Sequence, residues 1–225
     1  MNAVKDEPFL AWPGWPHLRE AAVLSLANAL WFALVYGGAD WLTAHRAFRV
    51  PVHFAAELRI PFVPGMTVFY MSLYILFFLA PFILRTRREL RALVGAMAVA
   101  ILASGIAFLL FPAELAFAPA RPEDLGIWAG LYCVADGLNL TYNLLPSLHV
   151  VFAVLCVSAF SPRAPRMVRV LLWLWALLIA ASTVLIHQHH VLDAVTGWLL
   201  ATLLARSWDR ATSAARCSGR TAAAP

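Results

Sequence analysis

Six apolar runs at or near membrane length divide this chain, at about residues 21–42, 64–84, 90–111, 147–160, 168–186 and 189–208. A helix needs about 20 apolar residues to cross a bilayer, and fewer where protein surrounds it. In hydrocarbon every backbone polar group must be satisfied internally, so such runs fold as helices. The composition agrees: 62% of the residues are hydrophobic, 13% are charged, and the mean hydropathy is +0.76. A soluble domain would be nearer half apolar. The chain reads as an all-α integral membrane bundle of six transmembrane helices. Residues 1–20 form an N-terminal cytoplasmic segment without a cleavable signal. Residues 21–208 form the six-span domain, and residues 209–225 a disordered tail.

The arginines set the orientation. They fall in the loop Arg85, Arg87, Arg88, Arg91, in the loop Arg163, Arg166, Arg169, and in the C-terminal stretch with Arg206, Arg210, Arg216 and Arg220. With six spans all three lie on one side, and the positive-inside rule makes that side cytoplasmic. The net charge of +5 therefore reflects topology rather than a nucleic-acid partner. Trp41 and Trp208 sit near span ends, where indole rings favour the interface. Cys133, Cys156 and Cys217 lie far apart, so neither a zinc framework nor a disulfide framework is indicated.

Three loops remain for the outer face, and both histidine clusters fall there. Pro146-Ser147-Leu148-His149 opens the fourth span, and His187-Gln188-His189-His190 leads into Asp193 at the sixth. Ionisable residues at the ends of apolar spans point to function. His189 and Asp193 are four apart, a spacing that puts both on one helix face. The carboxylate can take the Nδ1 proton, leaving Nε2 as nucleophile or base. A pair that merely joins two helices has the same spacing. Ser147 can cap its helix beside freed backbone N–H groups. His149, two residues on, can serve as general acid.

His187, His189 and Asp193 also make a possible metal set. Against it, His190 points about 100° from His189 on a helix, and no cysteine or second carboxylate joins them. No metal or other cofactor is expected. Arg121 is the single arginine of the long loop 112–146 and can clamp a phosphate. The segment 124–132 in that loop reads as a short interfacial helix. Arg46, Arg49, Glu57 and Arg59 in the first outer loop read as interfacial charges. Asn139-Leu140-Thr141 is a chance glycosylation sequon.

Together these residues resemble the type 2 phosphatidic acid phosphatase superfamily over about residues 55–205. Its three motifs are Lys-x6-Arg-Pro, Pro-Ser-x-His and Ser-Arg-x5-His-x3-Asp. The second stands as Pro146-Ser147-Leu148-His149. The third stands as Ser182-Thr183, then His189 and Asp193 at the same spacing, and the first survives as Arg121-Pro122. The resemblance implies that His189 forms a phosphohistidine, Asp193 orients it, and His149 protonates the leaving alkoxide. Ser147, Arg121, Thr183 and Gln188 would lie at phosphate oxygens.

Glu114 stands where the family has lysine, and Thr183 where it has arginine. Pro-Ser-Leu-His, Gln188 before His189, and Ile60-Pro-Phe-Val-Pro followed by Tyr70 are similar to the inositol phosphorylceramide synthase branch. The expected protein is a metal-independent lipid phosphatase or head-group phosphotransferase. It would sit in a bacterial inner membrane with its site on the outer face, taking a lipid phosphate or phospholipid as substrate. A non-enzymatic transporter or degenerate relative is the alternative. A transporter would place polar residues near mid-span, whereas these sit at span ends.

Overall fold

The computed structural model describes residues 8–221, with side chains as far as residue 206. Trp208, Cys217 and the expectations for residues 1–7 and 222–225 lie outside the described residues or side chains.

The described residues form nine α-helices and no strand: α1 Trp15–Ala44, α2 Thr67–Met71, α3 Leu73–Ile83, α4 Arg87–Leu110, α5 Pro122–Leu125, α6 Ala129–Gly137, α7 Leu148–Phe160, α8 Arg166–Leu185 and α9 Val191–Thr221. Among the described residues, four stretches are long and apolar enough to cross a membrane: Trp15–Ala44, Pro64–Ile83, Arg87–Leu110 and Arg166–Leu185. The second is not one helix. It breaks at Ser72, whose hydroxyl donates to Phe69 O and accepts from the Trp175 indole.

Helix α7 is shorter, at 13 residues or about 20 Å. Its burial explains how it serves. Val150 to Val157 are all buried, against α3, α4, α8 and α9. A helix apolar on every face belongs inside protein, where it need not match the bilayer thickness. Helix α9 starts at Val191, two residues later than the apolar run, and its backbone continues to Thr221.

The arginine loops gather at one end of the bundle. Thr86 and Glu89 form a capping box at the start of α4, and Arg163 bonds the same Glu89 at 2.8 Å. Glu20 of α1 pairs with Arg87 at 2.8 Å and Arg91 at 2.7 Å. Such a cap stabilises a helix by about 0.5–2 kcal/mol. At the other end lie the starts of α7 and α9 and the three long connections. The segment 124–132 is two short helices rather than one. Gly126, at φ +49, turns the chain between α5 and α6, a backbone region that favours glycine.

Candidate active site

The turn from α8 to α9 builds the site. The N–H of His187 bonds Val184 O, and that of Gln188 bonds Thr183 O. This is a Schellman ending, with His187 in the left-handed position at φ 56. Glycine usually stands there. His187 is held instead by Ile60 O at 3.0 Å from Nε2, and by Phe117, stacked at 4.0 Å. The same Thr183 carbonyl also takes the His189 N–H at 3.0 Å. Those bonds close the turn, so the next helix begins only at Val191.

His189 therefore sits in the turn, not on a helix face shared with Asp193. The two still meet, with His189 Nδ1 3.4 Å from Asp193 Oδ2. Asp193, third in α9, reaches back to the N–H of His190 at 2.8 Å, the carboxylate half of a capping box. One oxygen thus caps the helix and faces the imidazole. Asp193 is fully buried, and its Oδ1 has no partner among the described residues.

Helix α7 brings the second histidine. The Ser147 N–H bonds Asp193 O at 3.0 Å, docking the start of α7 on α9. Gly197 permits that approach: a Cβ there would lie 2.6 Å from Ser147 O. Ser147 occupies the N-cap position, but its hydroxyl makes no cap bond. It is buried without a partner among the described residues. The His149 ring stacks on Tyr70 at 3.9 Å, and its Nε2 is likewise unpartnered.

Three other expected residues are placed differently. The Arg121 guanidinium is exposed and pairs with Glu123 at 3.0 Å and Asp124 at 3.1 Å. Its nearest acids, one and two residues beyond Pro122, capture it on the surface. Thr183 is fully buried and donates its hydroxyl to Ala180 O in its own helix, so its carbonyl rather than its side chain serves the site. Gln188 spends its amide within the protein. Its Nε2 donates to Asp136 at 2.9 Å and to the Tyr132 hydroxyl at 3.3 Å, and its Oε1 accepts from Asn139 at 2.6 Å.

That network includes residues the sequence reading missed. Tyr70 donates to Asn139 Oδ1 at 2.8 Å, so Gln188, beside His189, connects through Asn139 to the ring stacked on His149. Asn139 is committed to these bonds. Burial pushes the Tyr132 phenol above its ordinary range and keeps it an O–H donor. The three histidines of the cluster face three ways: His187 to Ile60, His189 to Asp193, and His190 to the Ala116 N–H at 3.1 Å.

His149 and His189 both open on a cavity of about 410 Å³ between α1, α3, α4 and α7. Leu24, Phe77, Leu93 and Phe152 are typical of its walls, and no charged residue lines it. Along α1 it reaches from Tyr36 to Ala21, about 22 Å at 1.5 Å per residue. A group seated at the histidines would have an apolar shaft behind it.

A family model described as the PAP2 superfamily matches residues 21–206. No curated protein matches the chain.

Proposed function

The chain belongs to the PAP2 superfamily, a family of membrane-associated phosphatases and phosphotransferases, and from that premise we propose that it transfers a phosphoryl or phospho-head group from a lipid through a phosphohistidine. The cavity carries this reading. An uncharged shaft about 22 Å long suits a lipid chain, since the hydrocarbon core of a bilayer is about 30 Å thick. Two histidines stand at one end of it.

The chemistry follows from the residues. Asp193 takes the Nδ1–H of His189 and leaves Nε2 with its lone pair. Nε2 attacks phosphorus, the P–N bond forms, and the P–O bond to the leaving alkoxide breaks. His149 gives that alkoxide its proton. Water or an alcohol then gives a proton to His149 and attacks phosphorus, and His189 departs unchanged. No step calls for a metal. Ser147, with a buried and unpartnered hydroxyl between the two histidine-bearing elements, is the side chain best suited to a phosphate oxygen.

The uncharged lining also bears on the donor. A phosphomonoester brings close to two negative charges and a diester one. Arg121 is neutralised by its own neighbours, and no Arg or Lys lines the cavity. The donor is a phosphodiester or a similarly low-charge lipid, which fits head-group transfer of the inositol phosphorylceramide synthase kind better than simple dephosphorylation. The reading keeps six spans, with α7 and α9 as the fourth and sixth; the arginine loops at the opposite end then favour the outer face for the site.

The test is a panel of lipid monoesters and phosphodiesters, given to the purified protein with and without an alcohol acceptor. A new phospholipid, or a released head-group phosphate, is expected from diesters. Absence of any phosphorus-bearing product would overturn the reading.

A further inference from the structure

Behind the His189–Asp193 pair lies a second buried pair. Glu57, in the connection between α1 and α2, is 4% exposed although it carries a carboxylate. A buried charge persists only when paired and hydrogen-bonded. Glu57 finds its partners on the far side of the sequence. Its Oε2 accepts the Val191 N–H at 2.7 Å, and its Oε1 lies 3.5 Å from His190 Nδ1 and accepts the Phe54 N–H at 2.5 Å. Val191 is the first residue of α9. The start of that helix is thus held by two carboxylates, Asp193 on His190 N–H and Glu57 on Val191 N–H. Both sit where the helix dipole favours negative charge. His190 Nε2 accepts from Ala116 N–H, which leaves its single proton on Nδ1; that nitrogen faces Glu57 Oε1 at 3.5 Å without a hydrogen bond.

We propose that Glu57 is a positioning residue for the reaction: it holds the first turn of α9 through the Val191 N–H, and through that turn the orientation of Asp193 against His189. The proposal rests on the phosphohistidine reading above. Glu57 touches neither the cavity nor the reacting groups. It acts on the peptide between His190 and Val191, whose neighbouring N–H groups go to the two carboxylates. The groups facing the pair are His53, with its ring 5.2 Å from that of His190, together with His189 and Asp193. Glutamine at 57 turns one acceptor oxygen into an NH₂ that confronts the donors now bound. Aspartate keeps the charge but is one methylene too short to span Phe54 and Val191.

The experiment uses the full chain in detergent with a phosphodiester donor. Glu57→Gln is expected to lower kcat about ten- to a hundredfold, the range that supporting partners of functional histidines carry, with KM little changed. Glu57→Asp should recover part of the loss. In an Asp193→Asn background Glu57→Gln should add no more than about a twofold effect, because both changes act through one carboxylate. An equal factor in both backgrounds would overturn the proposal. So would wild-type kcat in Glu57→Gln, or failure of both Glu57 variants to fold, which would make the residue a fold determinant only. A wild-type protein inactive on every donor would instead sink the phosphohistidine reading, and this inference with it.

Discussion

Tyr70 lies flat against His149, with ring centroids 3.9 Å apart and planes 20° from parallel. The contact joins residues 79 positions apart in the chain, and the Tyr70 hydroxyl is anchored in turn by Asn139. A ring held this way cannot swing, so the proton it carries is aimed.

Replacing that face should therefore mimic, in part, the loss of the acid. General acid help typically amounts to about 10²–10⁴-fold. His149→Ala should slow donors with poor leaving groups by a factor in that range, and activated aryl esters far less. Tyr70→Leu should show the same leaving-group bias at smaller amplitude, and Tyr70→Phe less again. Leaving-group series on the three variants check this. Equal loss with good and poor leaving groups would remove the acid from His149.

His189→Ala should abolish a covalent phosphoenzyme, whereas Asp193→Asn should form it slowly. Rapid quench with a ³²P-labelled donor reads both. An acid-labile, base-stable label on the wild type, absent from His189→Ala, is the expected result. A label surviving in His189→Ala would move the nucleophile elsewhere.

Gly197→Ala should separate the two histidine-bearing elements. Its Cβ would meet the Ser147 carbonyl at 2.6 Å, and backbone cannot step aside as a flexible side chain does. Overpacking of this kind costs about 1–3 kcal/mol. Turnover should fall more than the melting temperature suggests, because the strain falls on the Ser147–Asp193 contact. Unchanged kcat would show that the helices tolerate a wider spacing.

Arg121→Ala should leave kcat and KM near wild type. Its guanidinium is exposed and occupied by Glu123 and Asp124, and exposed ion pairs contribute about 0–1 kcal/mol at most. A tenfold rise in KM for a phosphate donor would return Arg121 to the site. Thr183→Arg, by contrast, should destabilise the fold, since Thr183 is fully buried. Thermal unfolding measures this.

Acid should loosen the turn between α8 and α9 through His190. Burial is the largest influence on it and holds its imidazole below the ordinary range, against the opposing pull of Asp193 and Glu57. The unfolded chain then binds the proton more readily than the folded one. Stability is fully present above the unfolded pKa of about 6.5 and falls as pH drops below it. Protonation also puts an N–H on Nε2, where Ala116 N–H now donates. The melting temperature should fall between about pH 7 and pH 5, and His190→Gln should flatten that slope. A flat wild-type profile would count against a neutral His190.

Much of this was legible in the chain. Apolar runs announce membrane helices because backbone groups in hydrocarbon admit few other structures. The motif around His149 and the His189–Asp193 pairing are local patterns open to a linear reading, although the two residues meet across a turn rather than on one helix face. The interfacial charge read at Glu57 did not survive, because its meaning depends on a partner 134 residues away. The same holds for Arg121, Thr183 and Gln188. Their residue types suit a phosphate, yet Glu123, Ala180 and Asp136 were nearer in space. Sequence by itself determined the helical membrane class and singled out His149 and His189 as candidates, through hydrophobicity and short spacing. Only the tertiary structure decided which polar groups are already spoken for and which open on the cavity. A hydrogen bond is made by proximity in space, and burial leaves each donor or acceptor few places to find one.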